Sequence, residues 1–130
     1  MNKEQVTFKI AKLLKEKGFD LECHHEYHLA AAYPWFHKKK KNFNGKEYSG
    51  LINEWYSAPI QQTACDWIEE TYGFFIEVSR HIDINGNYHY FYIILDKENK
   101  YASSDTGDNS YSSKYDAVDA ALEYILTNLI

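Results

Sequence analysis

The sequence predicts a small α+β domain spanning residues 1–130: a single domain with an antiparallel sheet of three to five strands and three helices. Three observations carry that class. The stretch SAPIQQTACDWIEETYGFFIEV, residues 57–78, switches from helical to alternating apolar spacing across one glycine. Asn85-Gly86 stands between two apolar alternating runs, the strongest hairpin signal in the chain. Residues 113–129 then return to helical spacing behind a serine. From Pro59 onward the predicted order is helix, strand, strand, strand, helix.

Residues 2–17 read as the first helix. Val6, Ile10, Leu13 and Leu14 form its apolar stripe, and Lys9, Lys12, Lys15 and Glu16 face water. Gly18 stops it, and Phe19 folds back onto Leu14. A strand from about residue 21 to 29 follows. Its alternation puts Cys23, His25, Tyr27 and Leu29 on one face, and Glu22, His24, Glu26 and His28 on a second, solvated face. Residues 30–56 form a variable insert with weak patterning. It holds Tyr33-Pro34-Trp35-Phe36, then four consecutive lysines, Lys38, Lys39, Lys40 and Lys41. Asn44-Gly45 is a type I′ signal that would pair residues 41–43 with 46–52.

Ser57 is expected to cap the next helix, with Pro59 in its first turn. Ile60, Ala64, Trp67 and Ile68 supply the buried stripe, and Gly73 ends the helix. A two-residue turn at Asn85-Gly86 pairs Ile84 with Asn87. Val78 then opposes Ile93, and Ile76 opposes Leu95, on the core face against which the flanking helices pack. The other face carries Tyr88, Tyr90 and Tyr92 with His81. Tyr101–Ser104 is a short third strand, followed by a polar loop. Ser113 begins the last helix with Asp116 in its first turn, and Val118, Ala121, Leu122, Ile125 and Leu129 make its stripe.

Composition narrows the function classes. An aromatic share of 17% argues for a folded core and against disorder. The net charge of −5 is unevenly spread: residues 1–50 carry ten lysines against six acidic residues, and residues 51–130 carry the acidic excess. Two cysteines make no disulfide framework, and Cys65 reads as a small apolar residue within a helix. The absence of an apolar leader or a long apolar run gives the expectation of a cytoplasmic protein without a membrane partner. No P-loop, Gly-x-Gly-x-x-Gly or Gly-x-Ser-x-Gly pattern occurs.

Four pieces stand in a recognisable order: LKEKGFD with Cys23, SAPIQQTACDWIEETYG, FFIEV with its partner strand, and YDAVDAALEYIL. Together they resemble a group of small proteins carried by bacterial phages, prophages and mobile elements. The resemblance covers most of the chain outside residues 30–54. Its motifs are caps, stops and core aromatics, so it implies origin and small-domain character and transfers no catalytic residue.

Four constellations could carry chemistry. Tyr88, Tyr90, Tyr92 and His81 form a candidate partner surface, because tyrosine suits an interface that is part apolar and part wet. Tyr33, Trp35 and Phe36 with Lys38–Lys41 form a candidate basic and aromatic surface for single-stranded nucleic acid. His24, Glu26 and His28 have the side chains of a zinc or iron site, although a solvated strand face with interspersed histidines is the plainer and preferred account. Cys23 and His25 share a face and are the one nucleophile–base pair available. The reading that follows is a non-enzymatic accessory protein with a protein partner or a second copy of itself, and with no cofactor or metal. The alternatives are a nucleic-acid-binding protein using Lys38–Lys41, and a small metal-dependent enzyme at His24 and His28.

Overall fold

Helix α1 (Phe8–Glu16) starts at Thr7, whose hydroxyl accepts from the Ile10 N–H. It ends where Phe19 N–H donates to Leu14 O at 3.0 Å and Gly18 N–H to Lys15 O at 3.1 Å, the expected glycine stop. The structure is a computed structural model and describes residues 4–28, 33–48, 54–104 and 110–130. The α+β class holds, with three α-helices and two three-stranded antiparallel sheets among the described residues. The chain divides into two compact units, Met1–Ala64 and Cys65–Ile130.

In the first unit, β1 (Cys23–Tyr27) is the centre of a sheet ordered β2-β1-β3, with β2 at Trp35–Lys41 and β3 at Tyr56–Ser57. The lysine run therefore lies in a strand paired with β1, not beside a hairpin of its own. Asn44-Gly45 closes no type I′ turn, because neither residue has the positive φ that turn needs. The Asn44 amide is committed elsewhere: its NH2 donates to Phe19 O at 2.9 Å, and its Oδ1 accepts from Ser57 N–H at 2.9 Å. Its own backbone N–H goes to Asn42 Oδ1. Residues 49–53 lie outside the described residues, as does Leu29.

Ser57 is correspondingly a strand residue opposite Glu26 and no helix cap. Helix α2 (Gln61–Tyr72) begins later than expected, where Gln61 N–H donates to Glu4 O at 2.7 Å. Ile60 is 43% exposed instead of joining the stripe, while Ala64, Trp67 and Ile68 are buried as expected. Lys15 also departs from its solvated role. Its ammonium donates to Trp55 O at 2.8 Å and pairs with Glu54 at 2.9 Å. Gly73, at φ +81°, ends α2, and a Cβ there would run into the Lys97 side chain.

The second unit holds the sheet β4-β5-β6: β4 is Phe75–Ile82, β5 is Tyr88–Leu95 and β6 is Tyr101–Ser104. The hairpin forms where expected, in a different register. Asp83 N–H donates to Asn87 O at 2.9 Å, so the turn holds three residues with Gly86 at φ +84°. Ile76 then opposes Ile94, and Val78 opposes Tyr92. The faces of β5 are exchanged relative to expectation. Tyr92 and Ile94 become buried, on the side lined with α3 (Lys114–Tyr124), which packs on β4 and β5. Phe91, Ile93 and Leu95 take the opposite face.

The turn chooses this register through Asp83. Its Oδ1 accepts from the N–H groups of Asn85 and Asn87, each at 2.9 Å, and its Oδ2 faces His89 Nε2 at 2.8 Å. The His89 contact, then the turn N–H groups, hold its carboxyl below the usual carboxylate range. Asp83→Ala is expected to populate the two-residue turn, seen in NMR as contacts from Ile76 to Leu95 in place of Ile94. A variant retaining only Ile76–Ile94 contacts would show that Asp83 does not select the register.

Ser113 caps α3 as expected, accepting from Asp116 N–H at 3.1 Å. The helix widens into a π turn at Ile125–Leu129. The polar loop at 105–109 lies outside the described residues. Among the described residues, no helix is long and apolar enough to cross a membrane.

Candidate functional site

β1 places chemistry on both faces of the first unit's sheet. On one face the Tyr27 hydroxyl donates to Val6 O at 2.7 Å, and its ring meets Phe8 edge-to-face at 5.6 Å. On the other face lies Glu26, with no solvent exposure. His28 Nδ1 is 2.8 and 2.9 Å from its two oxygens, and His37 Nε2 is 3.3 Å from Oε1. A carboxylate accepts, so both imidazole nitrogens act here as N–H donors. This face was expected to be solvated. It is closed instead by aromatic residues from the insert, which arrive from far along the chain.

The enclosure is a stack of rings. His28 lies between Trp35 and Trp55, with centroids 4.8 Å from each. His37 packs on the fully buried Phe43 at 4.6 Å, and Tyr48 stacks on Trp55 at 5.2 Å. Lys15, by holding the Trp55 carbonyl, fixes the near wall of this stack. A buried carboxylate needs such partners, because its desolvation is otherwise unfavourable by several kcal/mol.

The zinc or iron reading finds no geometry here. Among the described residues, no three His, Cys, Asp or Glu side chains are placed to hold a metal ion. His28 Nδ1 and His37 Nε2 meet at Glu26 Oε1 as its hydrogen-bond partners, and His24 Nδ1 is directed elsewhere, 3.0 Å from His37 O.

Nor is Cys23 an activated nucleophile. Its thiol donates to the backbone carbonyl of His25 at 3.2 Å, not to the ring. Burial pushes its pKa up, against smaller opposing contributions from Ser57 and the backbone at His25 and Ala58. Cys65 is pushed up to about 12 by burial, with Asp66 adding to it. Both thiols are therefore expected to resist a disulfide reagent at about pH 8 in the native state and to react fully in denaturant. Rapid native reaction of either would contradict this burial.

Burial also lowers the pKa of His25, with His24 and His37 adding to the shift, so the fold favours neutral His25. The unfolded chain takes up this proton first, near the ordinary value of 6.5. The contribution of His25 to stability is therefore complete above that value and is lost as pH falls toward the folded value. Urea unfolding between about pH 8 and pH 5 is expected to show a smaller acid loss in His25→Asn than in the parent chain. Equal losses would dismiss His25 as a contributor.

β2 carries the exposed chemistry. Tyr33, Trp35 and Phe36 are 61%, 53% and 64% exposed, and Lys38 to Lys41 are all exposed. The two strand aromatics are braced by histidines in β1 and just after it. His28 backs Trp35, while the rings of His24 and His25 lie 5.7 and 5.3 Å from Phe36. His25 pairs with Phe36 and Cys23 with Lys41, so β2 has more residues than β1 over this interval and bulges at the lysines. Among the described residues, β2 has β1 as its one strand neighbour and is a sheet edge.

The tyrosine surface does not assemble as expected. Tyr88 is exposed, but Tyr90 exchanges two backbone hydrogen bonds of 2.9 Å with Tyr111, and Tyr92 is buried. His81 meets Phe91 edge-to-face at 5.0 Å, on the face opposite Tyr92. The extra turn residue separates these side chains onto two faces.

No family model matches the chain, and neither a curated protein nor a solved structure matches it.

The residue that sequence reasoning missed is Glu26 as the centre of a buried network. His-x-Glu-x-His in an alternating segment was visible, and so were the aromatic residues of the following insert, among them Trp35, Phe43, Tyr48 and Trp55. What alternation does not carry is which face the insert covers.

Proposed function

We propose that this chain is a non-enzymatic binding protein whose contact surface is the edge strand β2 together with Tyr33. The observation behind this reading is the exposure of three large aromatic side chains beside four exposed lysines on one strand edge. Lysines on an edge strand also discourage strand-to-strand aggregation. That role explains the charges and leaves Tyr33, Trp35 and Phe36 unexplained. The histidine braces behind two of these rings reduce the ordering that binding would require. The local positive charge, in a chain that is acidic overall, favours an anionic partner and speeds its encounter. The enclosure of Glu26 and the protonated state of Cys23 favour binding over catalysis. An accessory role in a phage or mobile element, in the cytoplasm, fits the resemblance carried by the chain's caps and stops.

Lysine footprinting tests the surface. The chain is acylated in purified form and again in a cell extract, and modification is read by mass spectrometry. Lys38–Lys41 are expected to be protected several-fold in extract relative to the exposed Lys9 and Lys12. Uniform reactivity at all of these positions would reject β2 as the contact surface.

A further inference from the structure

We infer that the partner of β2 is single-stranded nucleic acid, an inference that rests on the assignment of β2 as the contact surface. The chemistry has two parts arranged in sequence along one edge. Tyr33 precedes the strand, Trp35 opposite Glu26 and Phe36 opposite His25 present their rings on the two faces of this edge, and Lys38–Lys41 follow after the inward-facing His37. A single strand presents the same two parts, unstacked bases and phosphates, along one backbone. The rings take bases by stacking, which tolerates any sequence, and the lysines take phosphates.

Other anionic partners use half of this surface. A duplex offers phosphates but hides its base faces within its own stack. An acidic peptide satisfies the lysines but does not present a planar ring in every repeat of its backbone, as a single strand does. The structure also supplies the rigidity that stacking needs. Trp35 is seated on His28, itself fixed by both oxygens of the buried Glu26. Phe36 is flanked by His24 and His25. The bulge between the Phe36 and Lys41 pairings moves the lysines out of strict ladder register, away from the paired backbone of β1.

The test uses the full chain and a labelled strand of roughly 20 nucleotides, longer than the footprint of one small binding domain. A duplex of the same sequence and anionic phospholipid vesicles are the comparison arms. Single-strand binding is expected to quench tryptophan fluorescence and to weaken with salt between about 50 and about 200 mM. A log–log slope near −3 corresponds to about 0.7 per phosphate contact at four lysines. The Lys38→Glu/Lys40→Glu variant is expected to halve that slope, and Trp35→Ala to weaken binding roughly tenfold. Tyr33→Ala provides a second aromatic test at a residue outside the Glu26 network, with circular dichroism checking that each variant is folded. Duplex or vesicle binding as tight as the single strand would overturn the inference. So would absence of strand binding while Lys38–Lys41 remain protected in nuclease-treated extract, an outcome that retains β2 as the surface for another partner. Loss of both strand binding and extract protection removes both readings.

Discussion

Glu26→Ala is expected to destabilise the chain by about 3 kcal/mol, measured as a lower urea midpoint at an unchanged slope. The figure is mainly the consequence of breaking the network, not the worth of making it. Assembling a buried carboxylate with two imidazoles gains little net energy, because desolvation offsets most of the attraction. Removing the carboxylate leaves the N–H groups of His28 and His37 facing a void, each now without its acceptor. The void itself adds to the loss, since Phe43, Tyr48 and Trp55 hold one another in place and cannot all close over it. Glu26→Gln is expected to fall between the two, because an amide oxygen still accepts from one imidazole while its NH2 opposes the other. Tryptophan emission should shift with the loss, as both Trp35 and Trp55 stack on His28. A change below about 0.5 kcal/mol in Glu26→Ala would mean that the network contributes nothing to the fold.

Trp67→Ala is expected to cost about 3–5 kcal/mol, a large part of the 5–15 kcal/mol typical of a whole domain. Trp67 is 8% exposed and meets Tyr72 edge-to-face at 5.6 Å. An indole of this burial removes about 150–250 Å² from water, worth roughly 4–6 kcal/mol by area. The area and cavity figures agree. Trp67→Phe keeps a ring against Tyr72 and should cost clearly less. Thermal or urea unfolding of the two variants separates ring packing from volume, and equal losses would discount the aromatic contact.

What could be read from the sequence follows the range of the interactions. The stop at Gly18 and the cap at Ser113 depend on residues within one turn of each other, and both stand as expected. Elements set by distant partners were hidden. Lys38–Lys41 have poor strand propensity, yet the pairings of Phe36 with His25 and of Lys41 with Cys23 carry β2 through them as a bulged strand. Ser57 resembles a cap, yet Asn44 and Glu26 draw it into β3. The site divides in the same way. The aromatic and lysine residues of β2 were named from their types, and they are exposed. The Glu26 network was missed because its walls come from residues 35–55, and no local pattern states which face of a strand a later loop will cover.

The hairpin register has a consequence for how the second unit's interior is specified. β5 is apolar on both of its faces, with Tyr92 and Ile94 on one and Phe91, Ile93 and Leu95 on the other. Hydrophobicity therefore distinguishes poorly between the two interiors these residues can build. The register is set at the solvent-facing end of the ladder, in a three-residue turn where the Asp83 carboxylate accepts from the N–H groups of Asn85 and Asn87. What is buried here is decided by a polar group that is not.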